Sequence, residues 1–293
     1  MSTRIREHET SSPAVVATGK TLGVIGAGVM GRTLIKGLLD SRAISKGEVW
    51  AGAKTSATCE KAAAELGISV EVDYRWRVPQ ADLILICVKP NQANKVLCGL
   101  KEAGLREDTL LISIMAGMST GHLESLLGTS NPWVRAMPNT PCIVGEGMSV
   151  VCAGKYATAD HLARAKHVFE AVGQCTPADE TYFDAITALS GSGPAYLYLI
   201  MEALADAGVR VGLPRQLALT LVAQTVVGAA RMVQMSGRHP AALRDDVTTP
   251  AGCTIGGLLM LEDGKIRSVL ARAVEEATKI VNHLAPPIPG SRN

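Results

Sequence analysis

A predicted strand runs into a glycine loop and then into a helix, and this junction constrains the fold more than any other feature. The strand covers residues 21–25, and the loop reads Gly26-Ala27-Gly28-Val29-Met30-Gly31. In such loops the first glycine permits a tight turn, the second lets backbone approach a pyrophosphate, and the third lets helix and strand pack closely. The helix N-terminus adds free N–H groups for the phosphates. We therefore expect Ile25 and residues 26–31 to bind a dinucleotide, and the alternative is a tight turn without a cofactor.

The two parts of the chain differ in their sequence pattern. Up to residue 179, β-branched runs alternate with helical patterns, which is typical of βαβ units around a mostly parallel sheet of the Rossmann type. Strands are predicted over residues 21–25, 48–51, 69–72, 83–88, 109–114, 133–136, 148–152 and 174–177, and helices over 30–41, 56–66, 93–101, 120–127 and 159–171. Beyond the boundary at residues 177–182, long Ala/Leu/Val helices are predicted over residues 183–189, 194–209, 214–236 and 266–284.

The predicted fold class is therefore α/β, with a Rossmann-type domain over residues 21–179 and an all-helical domain over residues 180–285. Residues 1–20 are polar and carry no apolar core of a secretory signal, so a disordered extension is expected there. Residues 286–293 are expected to form a flexible tail.

Composition excludes several function classes. The formal net charge is +2 and the charges are interspersed, so neither nucleic acid nor a membrane surface is an expected partner. The seven cysteines show no CxxC spacing and no zinc-site pattern, which predicts reduced thiols in a cytoplasmic protein without a metal. The apolar stretch 217–230 is interrupted by polar residues; it is expected to be too short to span a bilayer and to lie buried inside the protein.

The end of the second strand bears on cofactor choice. NAD sites usually place an acid there for the ribose 2′-hydroxyl, whereas this chain reads Ala53-Lys54-Thr55-Ser56. Lys54 is suited to pair with a 2′-phosphate, to which Thr55 and Ser56 could donate hydrogen bonds. The pattern favours NADPH over NADH. The alternative is that Ser56 only caps the next helix while Lys54 points to water.

Two later loops are expected to line the far side of the cofactor, because ligands bind outside the carboxyl ends of parallel strands. The first contains Cys87, Val88, Lys89 and Pro90, and the second begins Met115-Ala116-Gly117. Small residues and a proline there would let a nicotinamide ring lie against backbone. Lys89 could be catalytic, although a strand-end lysine followed by proline is more often structural.

The C-terminal half carries motifs that indicate a family. In order these are Ala136-Met137-Pro138-Asn139-Thr140-Pro141, Ser190-Gly191-Ser192-Gly193-Pro194, Gly212-Leu213-Pro214-Arg215 and Asp246-Val247-Thr248-Thr249-Pro250-Ala251-Gly252-Cys253-Thr254-Ile255. Together they resemble the pyrroline-5-carboxylate reductases over residues 22–284. The resemblance implies NAD(P)H-dependent reduction of 1-pyrroline-5-carboxylate to L-proline, the last step of proline biosynthesis. It also implies a homodimer or larger homo-oligomer with sites shared between subunits.

The family's substrate is a cyclic imine that bears a carboxylate, and residues 249–254 suit both groups. The hydroxyl of Thr254 could hydrogen-bond the ring nitrogen and orient the iminium while the proton arrives from solution. The turn is expected to open a helix, so the N–H groups of Gly252, Cys253 and Thr254 could converge on the carboxylate, with the Thr249 hydroxyl. The resemblance implies the same roles. The alternative is that Thr249 is a plain N-cap and Thr254 bonds back to its own helix.

Several residues depart from the family pattern. Ala251 stands where the family has glycine, which would disturb the turn if that position needs a positive φ. Cys253 replaces a usual Ala or Thr, which makes it a candidate for thiol modification. Gly256-Gly257 weaken the helix that follows. Tyr74 stands where some members have Asn near the adenine, and it is assigned to the cofactor site.

Two other functions are compatible with the glycine loop. An NADP-linked β-hydroxy acid dehydrogenase would usually place a lysine on its large helix, but residues 194–209 and 214–236 contain none. A non-catalytic NADP-binding sensor would have no need of the Thr254 hydroxyl. Both therefore rank below the reductase.

Overall fold

A computed structural model describes residues 21–284, so the predicted N-terminal extension and C-terminal tail lie outside the described residues. By packing, the chain forms two compact units. Of the described residues, one unit contains 21–191 together with 278–284, and the other contains Ser192–Ala277. This division falls about ten residues after the boundary suggested by the change in sequence texture.

The first unit is built on an eight-stranded sheet in the order β3-β2-β1-β4-β5-β6-β7-β8. The strands are β1 (Thr21–Ile25), β2 (Val49–Gly52), β3 (Ser69–Glu71), β4 (Ala81–Ile86), β5 (Leu110–Ser113), β6 (Trp133–Met137), β7 (Gly147–Ala153) and β8 (Gly173–Pro177). All neighbours pair in parallel except β6 and β7. The mostly parallel Rossmann-type sheet is confirmed, with strand ends within one or two residues of the predictions.

Helices cover both faces of this sheet. They are α1 (Val29–Asp40), α2 (Ser56–Leu66), α3 (Ala93–Glu102), α4 (Thr120–Leu127) and α5 (Ala159–Glu170). One apolar cluster joins β1 and β4 to Leu34 of α1 and Phe169 of α5. A second joins the other face to Leu97 of α3 and Leu123 of α4. Because the central strands are covered on both faces, they read as continuous apolar runs.

The segment after β8 differs from its prediction. A single helix was expected over residues 183–189, but α6 (Phe183–Ile186) gives way to a π-helix over Thr187–Gly191. The Thr187 hydroxyl donates to the Phe183 carbonyl at 2.7 Å. Apolar periodicity cannot distinguish the two helix types, since a single π turn keeps nearly the same residues on the buried face.

The second unit is helical. It contains α7 (Gly193–Arg210), α8 (Arg215–Ser236), α9 (Pro240–Asp246) and α10 (Cys253–Asp263), and α11 (Ile266–Val281) begins in it. The short helix α9 was not predicted. Gly208 permits close packing of α7 on α8, since a Cβ there would lie 3.1 Å from that of Ala218.

Helix α8 corrects a prediction made from stretch 217–230. It has 22 residues, and within residues 21–284 it is the one helix with the length and mean hydropathy, 1.3, of a membrane span. It is not buried inside the chain: Leu217 and Leu221 are exposed, and only Ala205 and Ala218 are buried among residues 192–277. The helix is therefore longer than the predicted stretch and is not buried within this chain, because an apolar pattern does not reveal which molecule covers it.

Candidate active site

The turn out of β1 requires glycine at its first position. Gly26 has φ +105°, and a Cβ there would lie 2.5 Å from the Cys87 carbonyl oxygen. The N–H groups of Gly26 and Ala27 both donate to the Gly52 carbonyl, at 2.9 and 3.1 Å. The loop is thereby fixed between the ends of β2 and β4, in a conformation that other residues rarely adopt.

The other two loop glycines have different surroundings. A Cβ at Gly31 would collide with the Gly26 carbonyl, so the third glycine permits α1 to approach the loop closely. A Cβ at Gly28 would meet nothing within 4 Å, so the space beside this residue is open to a ligand. Gly28 is also the N-cap of α1 and has no side chain to occupy the cap.

The N-terminus of α1 is suited to an anion. The first helical hydrogen bond runs from Arg32 N–H to the Gly28 carbonyl, and the described chain offers no acceptor for the N–H groups of Val29, Met30 and Gly31. No acidic residue stands in the first turn. The Arg32 side chain pairs with Glu65 at 3.0 Å, so its charge is already balanced within the protein. Free N–H groups and the helix dipole together favour a phosphate here.

A cavity of about 880 Å³ lies beside the loop, at the carboxyl ends of the first strands. Seven of the residues assigned to the cofactor from sequence line it: Ile25, Gly26, Ala53, Lys54, Tyr74, Val88 and Lys89. The other assigned residues do not: Ala27, Gly28, Val29, Met30, Gly31, Thr55, Cys87, Pro90, Met115 and Ala116. The sequence assignment missed Gly52, Val72, Asp73, Arg75, Asn91, Gln92, Lys95, Val96, Cys98, Gly99 and Glu102.

Helical spacing could have found part of the missed set. Gln92, Lys95, Gly99 and Glu102 recur at intervals of three or four residues and share one face of α3. Since α3 follows β4 directly, that face lies beside the loop containing Lys89.

Charges in the cavity are only partly balanced. Arg75 binds Asp73 through two hydrogen bonds, of 2.7 and 2.9 Å, and this contact lowers the pKa of Asp73 to about 2. Lys54, Lys89 and Lys95 have no acidic partner among the described residues. Three lysines therefore remain for an anionic ligand.

Tyr74 closes one side of the cavity. Its ring stacks on Trp50 with centroids 5.7 Å apart. It also lies so close to Gly52 that a Cβ there would collide with it. Burial raises the pKa of the Tyr74 hydroxyl, so the group stays neutral at physiological pH.

The end of β2 corrects one alternative and leaves the role of Lys54 a prediction. Lys54 is exposed and lines the cavity, with no acid at this strand end. However, Thr55 caps α2, accepting from the Thr58 N–H at 3.3 Å, whereas Ser56 is already the first helical residue. The alternative that Ser56 is the cap is therefore wrong.

The two later loops present little reactive chemistry. Burial raises the pKa of the Cys87 thiol, so this cysteine remains protonated. Met115 is 1% exposed and its side chain belongs to the core, which leaves mainly its backbone for a ligand. Ala116 packs against an apolar cluster that includes Met137 and Phe183.

In the second unit, residues 249–254 form a turn followed by α10. The Gly252 N–H donates to the Thr249 carbonyl at 3.1 Å, so this donor, expected to face a carboxylate, is already used. The N–H groups of Cys253 and Thr254 have no acceptor within the described chain. A Cβ at Gly252 would collide with the Thr249 hydroxyl, which therefore lies directly over this glycine.

Two sequence alternatives at this turn are also resolved. The N-cap of α10 is Gly252 and not Thr249. Thr254 makes no hydrogen bond back to its helix within residues 21–284, so its hydroxyl remains available. Ala251 has φ +58°, which is the left-handed conformation that favours glycine.

A glycine loop on a parallel sheet, a free helix N-terminus and a basic cavity define a Rossmann-type NAD(P)-linked oxidoreductase. Residues 180–284 match a family described as pyrroline-5-carboxylate reductase dimerisation. Residues 21–117 match one described as NADP oxidoreductase, coenzyme F420-dependent.

Relatives extend this similarity over nearly the whole chain. The pyrroline-5-carboxylate reductase of Arabidopsis thaliana is 41% identical over 258 residues, which is 88% of this chain and 93% of that protein. That of Schizosaccharomyces pombe is 40% identical over 276 residues, covering 89% and 98%. The Coxiella burnetii enzyme structure aligns with a TM-score of 0.85 at 32% identity, covering 92% of this chain and 100% of that one. The Plasmodium falciparum enzyme with NADP bound has a TM-score of 0.81 at 33% identity, covering 91% and 98%.

The chain therefore belongs to the pyrroline-5-carboxylate reductase family. Its reaction is the reduction of 1-pyrroline-5-carboxylate to L-proline, with NAD(P)H as the hydride donor.

Proposed function

We propose that the first unit holds NADPH and the second unit holds the imine substrate. The single observation that carries the cofactor half is the α1 N-terminus, where three N–H groups have no acceptor among the described residues and the space beside Gly28 is unfilled. A pyrophosphate there would be held by backbone alone. The adenosine would then occupy the cavity between Tyr74 and α3.

The preference for NADPH is argued from charge. No carboxylate stands at the end of β2 to bind a free 2′-hydroxyl, while Lys54 is exposed and has no acidic partner in the described chain. A 2′-phosphate would gain a charge-assisted bond from Lys54 and the helix N-terminus of α2. NADH would gain neither, so it is the less favoured donor.

The substrate half is argued from the turn before α10. The free N–H groups of Cys253 and Thr254 and the Thr249 hydroxyl are suited to a carboxylate. The unbonded hydroxyl of Thr254 would hydrogen-bond the ring nitrogen and orient the iminium. The hydride adds to the imine carbon, and the nitrogen retains the proton it took from solution. A threonine hydroxyl is too weak an acid to supply that proton at physiological pH.

We further propose that the protein is a cytoplasmic homodimer or larger homo-oligomer with sites shared between subunits. Support comes from burial: among residues 192–277 only Ala205 and Ala218 are buried, which is too little to stabilise five helical segments. A second copy would cover the exposed leucines and methionines of α8. The match of this region to a dimerisation family points the same way.

The test is an assay of cofactor oxidation by the purified full-length chain. We expect NADPH oxidation that depends on added 1-pyrroline-5-carboxylate and yields L-proline, with NADH giving a lower kcat/KM. A folded chain that binds NADPH but shows no substrate-dependent oxidation would contradict the proposal.

A further inference from the structure

The π-helix Thr187–Gly191 lies at the carboxyl edge of the sheet in the first unit. Its first residues, Thr187 and Ala188, are buried. At its end Gly191 approaches Met137, since a Cβ there would lie 3.6 Å from the methionine sulfur. A π turn displaces the regular helical hydrogen bonds, and such turns are frequent at functional sites.

Asn139 holds this turn from the loop after β6. Its side-chain Nδ2 donates to the Ser190 carbonyl at 3.2 Å, and its Oδ1 accepts from the Met148 N–H at 2.9 Å. Both ends of one carboxamide are therefore used, one toward the π-helix and one toward β7. A carboxylate in this position would keep the acceptor and lose the donor.

The start of the same segment is held separately. Glu180 accepts from the Thr120 N–H at 2.7 Å and from its hydroxyl at 2.6 Å, and it pairs with the buried Arg135 at 3.2 Å. With this end fixed, the position of the π-helix depends on its other end, where Asn139 makes the hydrogen bond to Ser190 and Gly191 lies near Met137.

The π-helix Thr187–Gly191 lies beside the loop after β5, which is assigned to the nicotinamide. Strands β5 and β6 are parallel, with Ser113 opposite Arg135, so the residues that follow them emerge at the same edge. Ala116, from the loop after β5, packs in the apolar cluster of Met137 and Phe183. The π-helix follows Phe183 within the same segment.

We propose that Asn139 is a positioning residue for hydride transfer, acting through the Ser190 carbonyl to hold the π-helix as a wall of the nicotinamide pocket. This rests on the proposed cofactor site. Asn139 makes no contact with the reacting atoms in this account. Displacing a wall by about 1 Å is enough to lower turnover by up to about 100-fold.

The test is Asn139→Asp, measured as kcat against pH. At neutral pH the carboxylate faces the Ser190 carbonyl without a proton to donate, so we expect kcat to fall at least about 10-fold. Facing a carbonyl raises the pKa of a carboxyl group, because the hydrogen bond favours its protonated form. As pH falls through that pKa the donor returns, so kcat of the variant relative to wild type should rise. Asn139→Ala should lose turnover without this recovery.

Two controls separate positioning from general damage. Gln80→Glu makes the same amide-to-acid change at an exposed residue whose Nε2 donates to the Trp76 carbonyl at 3.4 Å, so its pH profile should match wild type. Binding of 2′,5′-ADP, which lacks the nicotinamide, should be unchanged in both Asn139 variants. Should the acid variant fail to fold, Asn139→Ala carries the test through its kcat and its 2′,5′-ADP affinity.

Three results would overturn the proposal: a wild-type kcat in Asn139→Ala, no recovery of Asn139→Asp on acidification, or equal losses of turnover and 2′,5′-ADP binding. Wild-type turnover is measured alongside. If the proposed reaction is wrong, the wild-type chain itself shows no turnover. If only the Asn139 proposal is wrong, wild-type turnover is intact and only the results for the variants differ from those expected.

Discussion

The two compact units differ in where they bury their apolar residues. The first covers its central strands on both faces, and Leu34, Leu85 and Leu97 are each at most 1% exposed. In the second, Leu217 and Met235 are 46% and 85% exposed, although the sequence is no less apolar. The first unit is thus stabilised by its own core, whereas the second leaves its helices exposed within the chain, where the proposed homo-oligomer would cover them. Cofactor binding is assigned to the first unit and substrate binding to the second.

The largest expected effect comes from placing charged residues on the exposed face of α8. Leu217→Glu together with Leu221→Glu should dissociate the oligomer and lower turnover by at least about 100-fold, because two charges would be buried without partners. Analytical ultracentrifugation gives the mass, and 2′,5′-ADP binding should survive in the first unit. Tyr156→Glu, at an exposed aromatic residue of the first unit, is the control and should keep the wild-type mass. An unchanged mass for the double variant would remove α8 from the interface.

Next in size is the effect of removing the Thr254 hydroxyl. Thr254→Ala should lower kcat by about 10- to 100-fold, since one hydrogen bond to a charged group contributes about 1.5–3 kcal/mol. The Kd for NADPH, measured by fluorescence titration, should not change. Thr254→Ser keeps the hydroxyl and should retain most of the rate. Equal rates in the Ala variant and wild type would exclude Thr254 from catalysis.

A smaller effect is expected at the cofactor's 2′-phosphate. Lys54→Glu should raise the KM for NADPH by about 10-fold while leaving that for NADH unchanged or lower, because charge-assisted bonds to phosphate are lost and replaced by repulsion. Lys61→Glu, on the exposed side of α2, makes the same charge change away from the cavity. If both cofactors respond equally to Lys54→Glu, the assignment of Lys54 to the 2′-phosphate is wrong.

The smallest effect is expected at the strained turn. Ala251 adopts φ +58°, which costs a residue with a Cβ about 1–2 kcal/mol. Glycine would remove that strain but lose about 0.5–1 kcal/mol to its freer unfolded chain. Ala251→Gly should therefore raise the free energy of unfolding by about 0 to 1.5 kcal/mol, seen as at most a small increase in Tm. A clear decrease in Tm would show that the alanine is not strained.

The sequence was most informative where a residue's role depends on its neighbours along the chain. The loop residues Gly26 and Gly31 could be assigned because a strand-to-helix turn makes the same steric demands in any such fold. Gly67, a glycine directly after an apolar helical pattern, has φ +67° at the end of α2, as a C-cap glycine requires. The long helices were found because their apolar periodicity is sustained over many turns.

Features that depend on packing between distant segments were missed or mistaken. Lys95 and Gly99 share one face of α3 by their helical spacing, but that this face lies beside the ends of β1 and β2 follows from packing and not from the spacing. The π-helix was predicted as part of an ordinary helix, since its buried residues fall in nearly the same places. Helix α8 was predicted to lie buried inside the protein, whereas this chain leaves it exposed, because an apolar stripe identifies a covered surface without identifying what covers it.

The central claim is that the first unit binds the cofactor, the second binds the substrate, and the two come from different subunits. A subunit-mixing experiment tests this claim most directly. Gly28→Asp should fold, since its Cβ meets nothing within 4 Å, and its carboxylate would repel the pyrophosphate. Thr254→Ala impairs the substrate part of the site, in the second unit. Mixed and reassociated in equal amounts as dimers, the two impaired variants should recover about a quarter of the wild-type rate, because half the dimers are mixed and each holds one intact shared site of two. No recovery in verified mixed oligomers would contradict the account.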